Sequence, residues 1–342
     1  MSILSFFCTL VLSSNVLSSP VVSRRAPCNV PGYVTEYAPI VYLGSNDAYR
    51  PSDIGAQLNH TTPQVNASDV SGAPNPLTLD NLNKLNDLGG DEVYLTSINK
   101  VEDPPSWLFG VEPNEDGETE GAISCAIIIN DHGSGLVDAF YMYFYAYDFG
   151  GVYLDFLNVG NHVGDWEHNM IRFQDGVPQA VWYSQHADGQ AFTYNTTSKY
   201  DGGVRPIAYS ANGTHANYAT DGDHAHAIPN LNLDNGIVED HTDQGPVWDP
   251  TLGAYYYSYN ANSSTFSTYD NSTPVDWLYF TGHWGDDQYP ESDDRQECFL
   301  SIDGLCKYTN GPTGPLDKQL NRTKVCPEKD GFLCIVRTEL SP

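Results

Sequence analysis

The sequence predicts a mainly β fold: a single-domain antiparallel β-sandwich with long loops and a few short helices. Three observations carry that reading. Twenty-three tyrosines and an aromatic share of 12% concentrate in strand-like runs with β-branched residues. Thirty glycines and 22 prolines cut the chain into short lengths. An Asp-Gly pair, Asp175-Gly176, separates two such runs, and this dipeptide is a strong signal for a two-residue hairpin turn.

The elements follow in chain order. "MSILSFFCTLVLSSNVLSSP" opens with an apolar run over residues 3–12, too short to span a bilayer, with small residues behind it at Ser18 and Ser19. It reads as a signal peptide over 1–19, although no basic residue precedes the apolar run. Ser23-Arg24-Arg25 marks a trimmed pro-segment over 20–25, which leaves 26–342 as the β-rich domain. "YAPIVYLGSNDAYRPSD" is a strand followed by a proline-containing loop, and residues 59–76 form a surface loop. "TLDNLNKLNDLGG" predicts a helix with Leu79, Leu82, Leu85 and Asn86 on one face, Thr78 at its start and Gly89 at its end. "AISCAIIIN" and "LVDAFYMYFYAYDF" are the strongest strand pair, and their nearly continuous apolar content places them centrally in a sheet. "DWEHNMIRFQ" and "VPQAVWYSQH" flank the Asp-Gly turn. "VDWLYFTGHWGDD" predicts one more strand running into a polar end.

Cysteines, sequons and charge agree on export. Cys28, Cys125, Cys298, Cys306, Cys326 and Cys334 follow the signal peptide, an even count that predicts three disulfides of open connectivity and a stapled region over about 290–342. N-x-[ST] sequons at Asn59, Asn66, Asn195, Asn212, Asn262, Asn271 and Asn321 predict glycosylated surface loops. The net charge is −29; removing residues 1–25 takes away Arg24 and Arg25 and no acid, so 13 bases stand against 44 acids, or −31. Such a chain repels phosphate backbones, which excludes nucleic acid as a partner. No segment qualifies as a transmembrane helix. The expected destination is the secretory pathway, ending at the cell wall, outside the cell or in the vacuole.

One stretch concentrates chemistry. "NHVGDWEHNMIRF" places His162, Asp165 and Glu167 in H-x-x-D-x-E spacing. Residues 165 and 167 of a strand point to the same side, and His162 precedes them in a loop from which it folds over. Two carboxylates and an imidazole suit a hard divalent cation, Mg²⁺, Ca²⁺ or Mn²⁺, with water completing the shell. The same pair of carboxylates also suits a general acid and base, provided their surroundings separate their pKa values. Asp148, at the end of the aromatic strand, is a candidate fourth oxygen ligand. With a two-residue turn at 175–176, paired positions sum to 351, so Asp165 faces His186 and Glu167 faces Ser184. A one-residue slip dissolves that grouping. His215, Asp240, His241 and Asp243 are expected around the same site. Trp166 is expected in the core, His168 on the opposite side of the sheet, and His224 and His226 in solvent. No nucleophile elbow, P-loop or dinucleotide fingerprint is present.

"GDWEH" at 164–168, "WYSQHADG" at 182–189, "IAYSANGTHANYATDGDHAH" at 207–226 and "DHTDQGPVWDP" at 240–250 resemble the fungal vacuolar protein sorting-associated protein 62 family. The likeness runs from about residue 140 to 250, and "HWGDDQYP" beyond it fits as well. It implies a role in delivering proteins to the vacuole, on the lumenal or extracellular side, and brings no chemistry with it. "HVGDWE" is also similar to the G-H-R-H-D-W-E heptad of necrosis- and ethylene-inducing peptide-like proteins. Those are secreted β-sandwich cytolysins whose heptad ligates a divalent cation. That likeness implies ligands at His162, Asp165 and Glu167, with Asp148 for the family's upstream aspartate. Asn161 and Gly164 depart from the heptad, and the gap from Asp148 is longer. Three functions follow: a lumenal binding or sorting protein with a glycan or a protein partner, a metal-assisted hydrolase of wall polysaccharide, or a cation-dependent toxin-like membrane lectin.

Overall fold

Alternation along one long strand pair shows how the layers form. In "LVDAFYMYFYAYD" the even positions Phe140, Met142 and Phe144 join one buried cluster, and the odd positions Tyr141, Tyr143 and Tyr145 join another. A strand buried on both faces reads as a continuous apolar run, which is why this stretch lacks a polar side. The computed structural model describes residues 26–27, 29–153, 156–225, 238–299, 305–328 and 334–340. The expected signal peptide and pro-segment, Cys28 and His226 lie outside these.

The described strands are β1 (Ile40–Tyr42), β2 (Thr61–Val65), β3 (Ser68–Asp69), β4 (Tyr94–Ser97), β5 (Cys125–Gly133), β6 (Leu136–Asp148), β7 (Val152–Tyr153), β8 (Leu157–Asn158), β9 (His162–Gln174) and β10 (Val177–Gln185). Then come β11 (Asp188–Thr193), β12 (Ile207–Ser210), β13 (Asn217–Tyr218), β14 (Gly222–Ala225), β15 (Glu239–Thr242), β16 (Val247–Trp248), β17 (Ala254–Asn260), β18 (Thr265–Thr268) and β19 (Val336–Arg337). An eight-stranded sheet runs β18-β17-β5-β6-β9-β10-β11-β19, and a four-stranded sheet runs β13-β12-β1-β16. Val41, Ala208 and Trp248 of the smaller sheet pack with Tyr141, Tyr143 and Tyr145 of the larger, which is the sandwich interface. The other face of the large sheet is covered by Leu95 of β4 and by Leu79, Leu82, Leu85, Trp277 and Trp284 from loops and short helical turns. The fold is therefore mainly β and sandwich-like, as expected. It is mixed rather than purely antiparallel, since β17 pairs with β5, β19 with β11 and β12 with β1 in parallel.

Two local expectations change. The leucine face is right, with Leu79, Leu82 and Leu85 buried, but Leu82–Asp87 winds as a 3₁₀ helix instead of an α-helix. Asn81 precedes it and turns its Oδ1 back to accept the Thr78 N–H (2.8 Å), so the helix starts without a side-chain cap from either residue. The apolar run expected as a strand at 275–284 contains a 3₁₀ helix, Asp276–Tyr279, that turns Trp277 and Leu278 into the core. Their burial against Trp166 and Phe280 decides the backbone, where period alone did not.

Two local disulfides, Cys298–Cys306 and Cys326–Cys334, staple the C-terminal region as expected. Cys125 is not part of a disulfide among the described residues; it begins β5 fully buried among apolar groups, which push its thiol pKa up. Six sequon asparagines are exposed, whereas Asn212 is half-buried with its amide against Gly44. No helix among the described residues is long and apolar enough to cross a membrane.

Candidate metal centre

The β6–β9 ladder builds the site. It pairs Tyr143 with Glu167, Tyr145 with Asp165 and Asp148 with His162. Strict alternation would send His162 and Asp165 to opposite faces. Gly164, between them, has φ +68° and breaks that alternation. A Cβ at Gly164 would lie 2.4 Å from the Trp284 carbonyl oxygen, so no side chain fits there. His162 is thus the first residue of β9 rather than part of a loop, and it comes round beside Asp165. One ligand atom each from Asp148, His162 and Asp165 lies within 4.8 Å of the others. His162 donates from Nδ1 to the Gly164 carbonyl (2.7 Å), which leaves Nε2 facing Asp148 Oδ2 at 3.7 Å. A fixed tautomer with one nitrogen turned inward is how a ligating histidine is normally held.

A second shell surrounds this triad. His215 donates from Nδ1 to Asp165 Oδ2 (3.0 Å) and turns Nε2 toward Asp47 Oδ2 (3.5 Å). Its ring stacks on Tyr145, with centroids 3.7 Å apart. His186 Nε2 donates to Asp240 Oδ2 (2.8 Å), which also accepts from Tyr218 (2.6 Å), while Thr214 donates to Asp240 Oδ1 (2.8 Å). The His186 backbone N–H reaches Glu167 Oε1 at 3.3 Å. His186 and His215 both hold positive φ, +53° and +56°, a conformation that non-glycine residues keep only where their surroundings impose it. An open cavity of about 310 Å³, lined by Tyr153, Asn212, Thr214 and Asp240 among others, adjoins the cluster.

Charge is unevenly matched here. Asp47, Asp148, Asp165, Glu167 and Asp240 are all buried. The positive charge that acts on Asp165 and Glu167 comes from His215, His186 and, at longer range, Lys318, while Arg172 binds Asp138 and Arg205 binds Asp249. Burial raises the Asp148 carboxyl well above its usual value, and the charge of Asp165 adds to that. Burial and Asp165 likewise raise Glu167 to about 7. Burial acts against Asp165 too, yet the hydrogen bond and charge of His215 hold it below the usual range. Burial lowers His162 and keeps it neutral, as a ligand requires. Burial opposes charge on His186, but Asp240 outweighs it and raises His186 to about 9. An ionised carboxylate, a second held off ionisation by its neighbours and a neutral imidazole form a donor set that a hard divalent cation satisfies.

Several expectations need correction. Glu167 is outside the three-residue group and packs beside His186 and Ser184 instead. The two-residue turn at 175–176 is present and pairs Val177 with Gln174, but a bulge between Pro178 and Ala180 shifts all later pairs by one. Asp165 therefore does not face His186 across the ladder, whose last pair is Tyr183 with Asn169. His186 arrives from the β10–β11 turn and not by register. Within β15 the residues alternate, so Asp240 points in, while His241 is exposed, pairs with exposed Asp223 (2.6 Å) and reaches only the outer cavity beside Asp240. Asp243 accepts the Ser45 N–H (2.7 Å). His224 is buried and stacked on Tyr218, not solvated. Trp166 is in the core, and His168 meets Arg322 on the opposite side, both as expected. Asp47 was missed: it stands in an ordinary turn sequence and accepts the Tyr49 N–H (2.8 Å), so nothing local marks it.

The model of the family "Vacuolar protein sorting-associated protein 62" matches residues 141–301. TDA6 of Saccharomyces cerevisiae, by its name a vacuolar protein sorting-associated protein, is 36% identical over 345 residues, covering 92% of this chain and 72% of that protein. Vacuolar protein sorting-associated protein 62 of the same yeast is 32% identical over 329 residues, covering 87% and 68%. Among solved structures, the non-toxic HaNLP3 protein overlays 69% of this chain and 80% of its own, at 11% identity and a TM-score of 0.29. NLPPya in complex with glucosamine overlays 56% and 79%, at 15% identity and a TM-score of 0.24. Overlays that loose bear on neither the fold nor the site.

Proposed function

This chain belongs to the vacuolar protein sorting-associated protein 62 family, and from that premise we propose that it serves protein targeting to the vacuole. In this reading it is a secretory-route or vacuolar glycoprotein whose binding surface is organised by a divalent cation. Asp148, His162 and Asp165 are the protein ligands, and water fills the remaining positions. His215 orients Asp165, and Asp240 with His186 borders the open side. The observation that carries this reading is the convergence of one ligand atom each from Asp148, His162 and Asp165 within 4.8 Å of the others, beside further buried carboxylates. Asp47, Asp148, Asp165, Glu167 and Asp240 outnumber the bases that face them, His186, His215 and Lys318, and an excess of buried acid suits a cation.

The test has two arms. Melting of purified protein is followed with Mg²⁺, Ca²⁺ or Mn²⁺ and with chelator, beside Asp165→Ala and the milder Asp148→Asn. A cation-dependent rise in the parent that both variants lose is expected; equal shifts in all three proteins reject the centre. A deletion strain is expected to secrete vacuolar hydrolases, and normal sorting would count against the trafficking role.

A second reading has its own support. Glu167, near 7 and beside the triad, is poised to exchange a proton at neutral pH, which fits metal-assisted hydrolysis of wall polysaccharide. Cleavage of a glycan panel that Glu167→Gln abolishes while cation binding persists would favour it.

A further inference from the structure

A second cavity lies among residues that take no part in the metal centre. It has a volume of about 510 Å³ and is walled by three segments distant in sequence. They are the β2–β3 turn at Asn66 and Ala67, the chain from Tyr94 to Lys100, and the loop from Asp286 to Arg295. We propose that this groove binds a short, uncharged saccharide.

Its aromatic walls are held in place before any ligand arrives. The Tyr94 ring lies flat on His283, with centroids 4.2 Å apart and planes 8° apart, and His283 is anchored through Nδ1 to the Gly311 carbonyl (2.6 Å). Tyr289 carries the Arg295 guanidinium 3.7 Å from its ring centroid. Its hydroxyl donates to Asp286 Oδ2 (2.7 Å). Asp286 is nearly buried, and its Oδ1 accepts the Ser97 N–H (2.6 Å), so this carboxylate is fixed in the wall. Gln64, Asn99 and Gln288 add amides, and exposed Ile98 adds an apolar patch. A sugar ring offers an apolar C–H face and a rim of hydroxyls, and aromatic rings with fixed amides and carboxylates match both. Asp286, Asp287 and Asp293 line the same groove against Lys100 and Arg295, and Arg295 is committed to Asp293 (2.7 Å), so acids prevail and phosphate and other anions are disfavoured.

Two sources supply this chemistry. Asn66 opens the sequon Asn66-Ala67-Ser68 at an exposed turn on the groove's edge, so the first sugars of its own glycan are one source. A separate oligosaccharide is the other. Glycosylated protein and Asn66→Gln are titrated with N,N′-diacetylchitobiose and with glucan and mannan oligomers, with and without chelator. If the Asn66 glycan fills the groove, chitobiose binds only Asn66→Gln, and the native glycan resists endoglycosidase longer than that on Asn262. If the ligand comes from outside, both proteins bind an oligomer. In either case Tyr94→Ala weakens binding about ten-fold. Asp287→Ala, at an exposed wall position, weakens it less without affecting folding. Chelation changes nothing in this groove, which separates the result from the fate of the metal centre. Absence of binding in both proteins, with the Asn66 glycan cleaved as fast as the Asn262 glycan, overturns the proposal. Binding that survives Tyr94→Ala overturns it as well.

Discussion

The two ends of the β6–β9 ladder place an acid in opposite circumstances. At one end Asp138 faces Arg172 and takes both of its forked hydrogen bonds (2.7 Å each), with His132 on a third side (2.8 Å). Arg172 also donates to the carbonyls of Thr323 and Arg322, so this pair ties the C-terminal region to the sheet. At the other end Asp148 faces His162, with Asp165 adjacent and no arginine paired to either among the described residues. One pair is closed and matched in charge; the other set is open and short of positive charge. The first behaves as structure, and the second is arranged to take a ligand.

The largest expected effect breaks the closed end. Asp138→Ala removes the buried carboxylate that holds Arg172 and His132, leaving the partly exposed guanidinium only its two carbonyl acceptors, and should cost about 3 kcal/mol in denaturant unfolding. A loss under 1 kcal/mol would show that the pair is not what holds that end. Next is the pH dependence of the chelated protein. Glu167 has its folded pKa raised to about 7, so its contribution is present below the usual carboxylate range and is lost as pH rises through 7. His186, raised to about 9, also contributes at low pH and loses that contribution as pH rises through 9. The Glu167 contribution should therefore fall by roughly 3 kcal/mol between about pH 4.5 and 7, opposed up to the usual histidine range by His162 and His168, whose lowered pKa values make stability rise with pH, so it is read as the difference between the parent and Glu167→Gln profiles. Parallel profiles for the parent and Glu167→Gln between about pH 4.5 and 7 would contradict the charge assignment. Smaller again is Asp148→Asn, which removes a repelled carboxylate. It should leave metal-free stability within about 1 kcal/mol of the parent or above it while erasing the cation response. His241→Ala should change stability by less than about 0.5 kcal/mol and leave the cation response intact, since that ring is exposed and turned away.

Much of this was legible locally. The continuous apolar content of residues 136–147 marks a strand buried on both faces, and the Asp-Gly turn at 175–176 is where expected. Asp165 and Glu167 do share a side, and His215 and Asp240 do reach the site. What escaped was set by packing. Pro178 lies where the ladder shifts, and one inserted residue is enough to break a register argument built on sums. The 3₁₀ turn at Asp276–Tyr279 follows from where Trp277 must go, which period cannot express.

The sequence alone determined the strand character of the long runs at 125–148 and 162–185, the hairpin turn within the latter, the excess of acid and the family. Those properties depend on neighbours within a few residues or on totals. Only the tertiary structure decided which acids meet. Asp47, Asp148, Asp165 and Asp240 come from separate parts of the chain, and their approach depends on a positive φ at Gly164, the bulge near Pro178 and the inward alternation of β15. Each of these rotates side chains between faces. A one-residue change in register or a single reversed dihedral therefore decides whether carboxylates point toward one another or toward water.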